Sequence, residues 1–550
     1  MGTVGIAPYG DVRVDGSKMN AGRERASLVA ILVVAAAVHL WAIRRDFPYI
    51  TAEDPTLLVN PAVRIAASGD LNPRRFVHPG STMIYPLAMA FHTWNATAHG
   101  GTWLRPDASL KRNFETDPQG FYLLGRLLAA LYGVLGVAMV YLAGRLAFGT
   151  TPALLGAWFM ALYPTELLLK QVRTEPAALF FAWMAMWAIL RLHDRPSRRR
   201  QVLAGAAIGV AIATKYYLLP LVGVLVAVDV LLWWHREKAP RDNRPVGSMV
   251  AAGLIAIPVA FALTTPYALL DFDTLQKNLV LIGVSDAETR SPAVALRNLR
   301  GYLADVVPRT MSWPQVLAAG LGLALVVRNR QPKQWLTVSF LVVFLPQLAW
   351  HAWYFARWLI PVFPVLALLA GRGVEATAEA LLRRLGTAGL TPRRAAAAIA
   401  LVLAVQPARA LVAMHRMYAH PTTYVLARQW VETNLPPGSR LVYEWETLAP
   451  PLRAQALGPG FSVNRSNDKA LVELSMSKLS VRGSVEYYLR NGYRYFVTSS
   501  LMYAVYPNDP EHYPQQAAFY RDLLRRGQLL HQVTASAVNG GPEIRIYEVR

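Results

Sequence analysis

Two adjacent carboxylates, Glu53 and Asp54, stand in "YITAEDPTLLVNPAVRIAASGDLNPRRFVHPG", a few residues after an apolar run ends. A third, Glu175, stands in "LKQVRTEPAALFF" directly ahead of another apolar run, with Lys170 and Arg173 beside it. Lys215 in "ATKYY", Arg357 in "WYFARWLIPVFP" and Arg126 in "FYLLGRLLAALYG" also lie at or inside the edges of apolar runs. A carboxylate held at such a place can take a proton from a neutral hydroxyl or bind a divalent cation. Lysine and arginine gathered there can hold the oxygens of an anionic headgroup. Each residue also has a plainer reading. Acid pairs are common in loops, and Glu175 followed by Pro176 fits the first turn of a helix, where the dipole favours an acid. Arg357 fits an interfacial cation among aromatics. Arg126 fits least well, because a bare charge inside an apolar helix is expensive. Asp229 in "VAVDVLLWWHRE" is a further buried candidate, with His235 or Arg236 as its expected partner.

The elements that must position these groups follow from composition. The chain has 550 residues, 54% hydrophobic and 16% charged, with mean hydropathy +0.26 and a formal charge of +22. Such a chain reads as a polytopic membrane protein. The excess Lys and Arg collects in short segments between apolar runs, which points to membrane topology and away from nucleic acid. Cysteine is absent, which excludes disulfides, cysteine-ligated metal and thiol chemistry. The expected spans are 26–43, 121–144, 152–168, 176–190, 202–214, 217–234, 248–264, 313–327, 335–350, 358–371 and 395–413, about eleven crossings by the length rule. The basic segments 191–200, 234–244, 328–333 and 383–394, with Arg23 and Arg25, are expected on the cytoplasmic side. That parity holds only if 44–120 is one long outer loop, with 81–98 lying along the surface as a juxtamembrane amphipathic or partly inserted helix. Residues 1–25 are then a cytoplasmic tail, and Lys215 faces outward or into a cavity below the outer surface. Residues 415–550 alternate helix, turn and strand, and read as a small α/β or α+β extracytoplasmic domain.

Several segments in order resemble one family. Asp54 precedes Gly69-Asp70 and then "LNPRRFVHPGSTMIYPL", and "GRLLAALYGVLGVAMVYLAGRLAFG", "ALLGAWFMALYPTELLLKQVRTEPAALFF", "GVAIATKYY", "TTPYALLDF" and "RWLIPVFPVLALLAG" follow. Over residues 26–371 the chain resembles the GT-C superfamily of polyprenyl-phosphate-sugar glycosyltransferases, and most closely the branch of protein O-mannosyltransferases and lipid A aminoarabinose transferases. The resemblance implies a polytopic α-helical GT-C catalytic domain over 26–414, in a bacterial plasma membrane with the N-terminus inside. It implies a sugar on a polyprenyl phosphate as donor, and a glycan, lipid or protein hydroxyl as acceptor. Asp54 would be the base of an inverting transfer, although Glu53-Asp54 reverses the family's Asp-Glu order and leaves Glu53 as the other candidate. Glu175 would orient the acceptor or, with Asp54, coordinate Mg or Mn if a metal is used. Lys215, Arg357, Arg173 and Arg126 would hold the donor phosphate, and His78 and Tyr85 would touch substrate. A secondary transporter or an envelope-assembly scaffold is the alternative, but the sequence shows no internal repeat of the kind transporters carry.

The topology has a direct test, since a chain without cysteine is suited to single-cysteine labelling. Ala98→Cys, Thr165→Cys and Ser285→Cys are expected to react with an impermeant thiol reagent from outside, and Ser197→Cys and Asn243→Cys are not. The opposite pattern would invert the topology.

Overall fold

The computed structural model describes the chain apart from residues 1–20, 48, 50–53, 103–104, 165–170, 238–245, 288–289, 352–353, 386–389, 445–447, 449–462, 466–470 and 477. Each expected span overlaps a helix, from Ala21–Leu40 to Pro392–Tyr418. By length and composition, five of the described helical stretches can cross a membrane alone: Gln119–Phe148, Glu175–Asp194, Tyr216–Trp234, Gly247–Thr264 and Pro392–Asn434. A sixth results if Pro292–Met311 and Trp313–Asn329, bent by 112°, count as one span. The other expected spans are shorter or carry charge within the helix. Thr150–Leu162 has 13 residues, about 20 Å of helix against a hydrocarbon core of about 30 Å. Arg198–Thr214 opens on three arginines.

Helices pack closely where small residues let backbones meet. A Cβ at Gly205 would lie 2.1 Å from the carbonyl oxygen of Gly253, so these two helices touch along their backbones. Two of the basic segments share one end of the bundle, where Lys333 pairs with Asp194.

The stretch 44–120 is not an open loop. Helices Asp54–Ser68, Ser81–Ala98 and Ala108–Thr116 build a core of their own, with Val59, Leu87 and Leu110 fully buried. Val172 and Ala177 belong to the same apolar cluster, so this cap is packed onto the residues on either side of Glu175. The expected surface helix at 81–98 is a helix, and its buried face is what holds the cap together.

The C-terminal residues form a six-stranded mixed sheet of order β2-β3-β1-β4-β6-β5. The strands are β1 Arg440–Glu444, β2 Val463–Arg465, β3 Val472–Met476, β4 Tyr495–Ser499, β5 Gln528–Val533 and β6 Ile544–Glu548. The central three, β3, β1 and β4, run parallel. Helix Thr423–Asn434 covers one face and supplies Arg428, which is fully buried and makes a two-pronged pair with Glu473 of β3 at 2.5 and 2.9 Å. Removing one partner of such a pair leaves the other as a buried charge. Arg428→Leu is therefore expected to destabilise the sheet region by about 3–5 kcal/mol, seen as faster proteolytic loss of the 415–550 portion.

Candidate functional site

Glu175 begins helix Glu175–Asp194, with Pro176 fixing the first turn. Lys215 ends helix Arg198–Thr214 in an extended conformation. Arg357 sits in a short 3-10 turn, Ala356–Leu359, ahead of helix Phe363–Leu385. These three helix ends meet. Lys215 Nζ lies 2.7 Å from Glu175 Oε1, and Arg357 Nε lies 3.2 Å from the same oxygen. The Glu175 side chain is 2% exposed, that of Lys215 7% and that of Arg357 19%. Arg173, also buried, adds a third positive charge acting on Glu175, while its Nε donates to Gln171 Oε1. Aromatic faces complete the setting, with Lys215 5.0 Å from the ring of Tyr217 and Arg357 4.2 Å from that of Phe355.

The cap reaches this cluster through Gly80. Its φ of +59° suits glycine, and an added Cβ would lie 2.9 Å from Leu58 Cδ2. The Gly80 N–H donates to the Thr214 carbonyl at 3.3 Å, and Thr82 donates to the Thr214 hydroxyl at 2.9 Å. Leu58 lies one turn beyond Asp54, the first residue of its helix. The start of that helix is thus linked, through Leu58 and Gly80, to the residue before Lys215. Glu53 and Lys170 lie outside the described residues, as does the Asp54 side chain.

The remaining candidates sit elsewhere. Arg126, two turns into Gln119–Phe148, donates from Nη1 to the carbonyls of Ile43 and Arg45 at 2.7 and 2.9 Å and stacks on Phe47. In its described contacts it fastens the segment after the first helix, and the phosphate role expected of it is not what those contacts serve. His78 is exposed, and Tyr85 donates its hydroxyl to the Leu71 carbonyl at 3.2 Å. Asp70 accepts from the Asn72 backbone at 3.0 Å and from Arg74 at 2.7 Å, which holds its carboxyl below the usual range. Asn72 in turn donates to Asp271 at 2.8 Å, joining the Gly69-Asp70 turn to the "TTPYALLDF" segment. Asp229 accepts from Gln201 with both oxygens, at 3.0 and 2.9 Å; the side chains of His235 and Arg236, expected as its partners, lie outside the described residues.

Glu175 suits a metal poorly. Its Oε1 already faces an ammonium and a guanidinium, and a divalent cation there would have to displace them. Among the described residues no three His, Cys, Asp or Glu side chains converge on a point.

A cavity of about 290 Å³ opens beside the cluster. Arg357, Arg309, Asp305 and Tyr354 give it polar edges, and Ile360, Phe363 and Met414 give it apolar walls. Arg309 pairs with Asp305 at 2.7 Å and remains largely exposed. A wider groove of about 590 Å³ adjoins it at Ala410 and runs past Arg409, Leu403, Val402 and Pro314. Arg309 escapes the sequence reading because it lies between the expected spans 248–264 and 313–327. Its only signal was an arginine between Pro308 and Pro314 at the mouth of an apolar run.

Replacing Glu175 removes a carboxylate that faces both Lys215 and Arg357. Glu175→Gln is expected to cost stability in the range of about 3–5 kcal/mol found for broken buried pairs. The measurement is loss of monodisperse protein on heating in detergent. Glu175→Asp should recover only part of it, because the shorter side chain cannot reach both cations.

Residues 123–261 match the family described as dolichyl-phosphate-mannose-protein mannosyltransferase. A comparison with curated proteins finds no match. Among solved structures, the chain is similar to the oligosaccharyltransferase AglB of Archaeoglobus fulgidus, in complex with an inhibitory peptide and a dolichol-phosphate. The TM-score is 0.51 at 13% identity, over 96% of this chain and 74% of that one. It is also similar to ArnT of Cupriavidus metallidurans bound to undecaprenyl phosphate, with a TM-score of 0.53 at 15% identity over 96% and 98%. At these identities the likeness establishes architecture alone, and this chain shares its fold with AglB and ArnT.

Proposed function

We propose that the protein is an integral membrane glycosyltransferase that moves a sugar from a polyprenyl phosphate to an acceptor hydroxyl at the extracytoplasmic face. The observation that carries this reading is Arg357, which joins the buried Glu175–Lys215 pair to a cavity with cationic edges and apolar walls. A phosphate on a long apolar tail matches both properties, with the tail following the groove past Ala410. The likeness to ArnT bound to undecaprenyl phosphate and to AglB with a dolichol-phosphate supports the same class of ligand. The Lys333–Asp194 pair at the opposite end of the bundle, among the arginine-rich segments, supports an outward-facing cluster. About eleven crossings, with the N-terminus inside and residues 415–550 outside, agree with that orientation.

In this reading Asp54 accepts the proton of the acceptor hydroxyl as its oxygen forms a bond to the anomeric carbon. The bond from that carbon to the phosphate oxygen breaks with its electron pair, and the sugar inverts. Negative charge grows on the departing lipid phosphate, where Lys215 and Arg357 stabilise it. Glu175 holds those two cations in place. Arg309 at the cavity edge would meet the phosphate as it enters. The placing of Asp54 is supported by the packing of its helix, through Leu58 and Gly80, against the turn that carries Lys215.

The test is transfer from radiolabelled polyprenyl-phosphate sugars by purified protein in lipid nanodiscs. Asp54→Asn is expected to lower kcat by about 10²–10⁴, the range for a positioned base, with donor binding retained. Arg309→Ala should raise the donor KM several-fold and leave kcat near the wild-type value. An inactive Glu53→Gln beside an active Asp54→Asn would transfer the role to Glu53, and no transfer from any polyprenyl-phosphate sugar would sink the proposal.

A further inference from the structure

The segment between the first helix and Asp54 is gripped from two sides. On the membrane side, Arg126 holds the carbonyls of Ile43 and Arg45. On the other side, the contacts come from the chain that leads into the C-terminal sheet. Arg45 lies 3.8 Å from the ring of Tyr418, and Asp46 Oδ1 accepts from the Thr422 backbone N–H at 3.3 Å. Tyr49 Oη donates to Glu432 Oε2 at 3.0 Å, across 383 positions of sequence. Asp46 adopts φ of +63°, a left-handed conformation that a non-glycine residue holds only when its surroundings impose it. Its side chain is 1% exposed.

Glu432 is anchored in turn. It sits 3.8 Å from Arg428, one turn back on helix Thr423–Asn434, and Arg428 is locked to Glu473 in the centre of the sheet. A rigid path therefore runs from β3 through Arg428 and Glu432 to Tyr49, five residues before Asp54 in sequence. Burial and the neighbouring Glu432 carboxylate push the Tyr49 hydroxyl up to about 12, so it stays protonated and donates throughout the working pH range. Most of this grip is made by backbone and charged groups. The Tyr49–Glu432 contact is the part built from two partly exposed side chains, and the part most easily opened without unfolding anything else.

We infer that Tyr49 is a positioning residue, and that its hydrogen bond to Glu432 lets the C-terminal sheet domain set the place of the first turn of helix Asp54–Ser68. This rests on the glycosyl-transfer reading above. A general base must lie within hydrogen-bond reach of the proton it takes, so loosening the anchor at Tyr49 should lower turnover more than donor binding.

The experiment uses the full-length protein in nanodiscs with the polyprenyl-phosphate sugar donor that wild type accepts. Tyr49→Phe is expected to lower kcat about tenfold, within the cost of an ångström-scale misplacement, with donor KM changed by less than about twofold and thermal stability unchanged. Glu432→Ala should lower it at least as far, since it also removes the contact with Arg428, and the double variant should be no worse than Glu432→Ala alone. Glu432→Gln keeps an acceptor oxygen and should recover most of the rate. Hydrogen exchange over residues 50–60 should rise in Tyr49→Phe and Glu432→Ala and not in Glu432→Gln. Wild-type kcat in Tyr49→Phe, additive losses in the double variant, or a parallel fall in thermal stability would overturn the inference. The exchange measurement needs no turnover. A chain that transfers no sugar would sink the functional reading, and unchanged exchange in Tyr49→Phe would by itself sink the latch.

Discussion

A single buried carboxylate oxygen facing an ammonium and a guanidinium is the constraint around which the membrane portion is arranged. Glu175, Lys215 and Arg357 come from three helix ends spread over 183 positions of sequence, and none could be buried there alone. Glu175 makes it possible to hold two cations in apolar surroundings, and the helix N-terminus behind Glu175 favours its charge. Pairs of this kind contribute little net stability against an apolar alternative. Their retention at the wall of a cavity is better explained by what they do to a ligand than by what they do for the fold.

The rest of the site follows from bringing backbones close to that pair. Gly80 lets the helical cap approach Thr214, and Leu58 fills the space over it. Val172 and Ala177 place the two sides of Glu175 in the core of the cap, so the cap and the cluster cannot move independently. Arg126, a buried charge with a different partner set, does for the segment after the first helix what Glu175 does for the cluster. It satisfies two carbonyls in the turns that follow that helix.

Much of this was legible in the sequence where hydrophobic runs and charge agree. Helix-end positions lead one to expect Glu175, Lys215 and Arg357 at one site with Asp54; the first three meet, and the Asp54 side chain lies outside the described residues. The helix–turn–strand alternation after His415 matches helix Thr423–Asn434 followed by β1. Strands β2 and β3 were missed, because a three-residue edge strand and the short run "VELSM" carry too little alternation to register. The sequence shows 44–120 as a loop with a surface helix at 81–98, because the core of the cap forms between three short helices and is invisible to any one window. Arg126 was assigned to phosphate for a similar reason. Its charge marks it in the sequence, but its partners are main-chain carbonyls some 80 positions away, and main-chain atoms carry no sequence signal. Asp229 shows the same limit in reverse, since the amide that holds it, Gln201, looks like any other polar residue.

The central claim is that the cations of this cluster recognise a phosphate on a lipid. Equilibrium binding of undecaprenyl phosphate and of undecaprenol, which differs by the phosphate alone, to wild type and Arg357→Met separates headgroup recognition from tail burial. The account predicts that wild type prefers the phosphate by at least about tenfold, as expected of charge-assisted contacts, and that Arg357→Met loses most of that preference while binding undecaprenol as before. Equal affinity of wild type for the two lipids, or an undiminished preference in Arg357→Met, would contradict it.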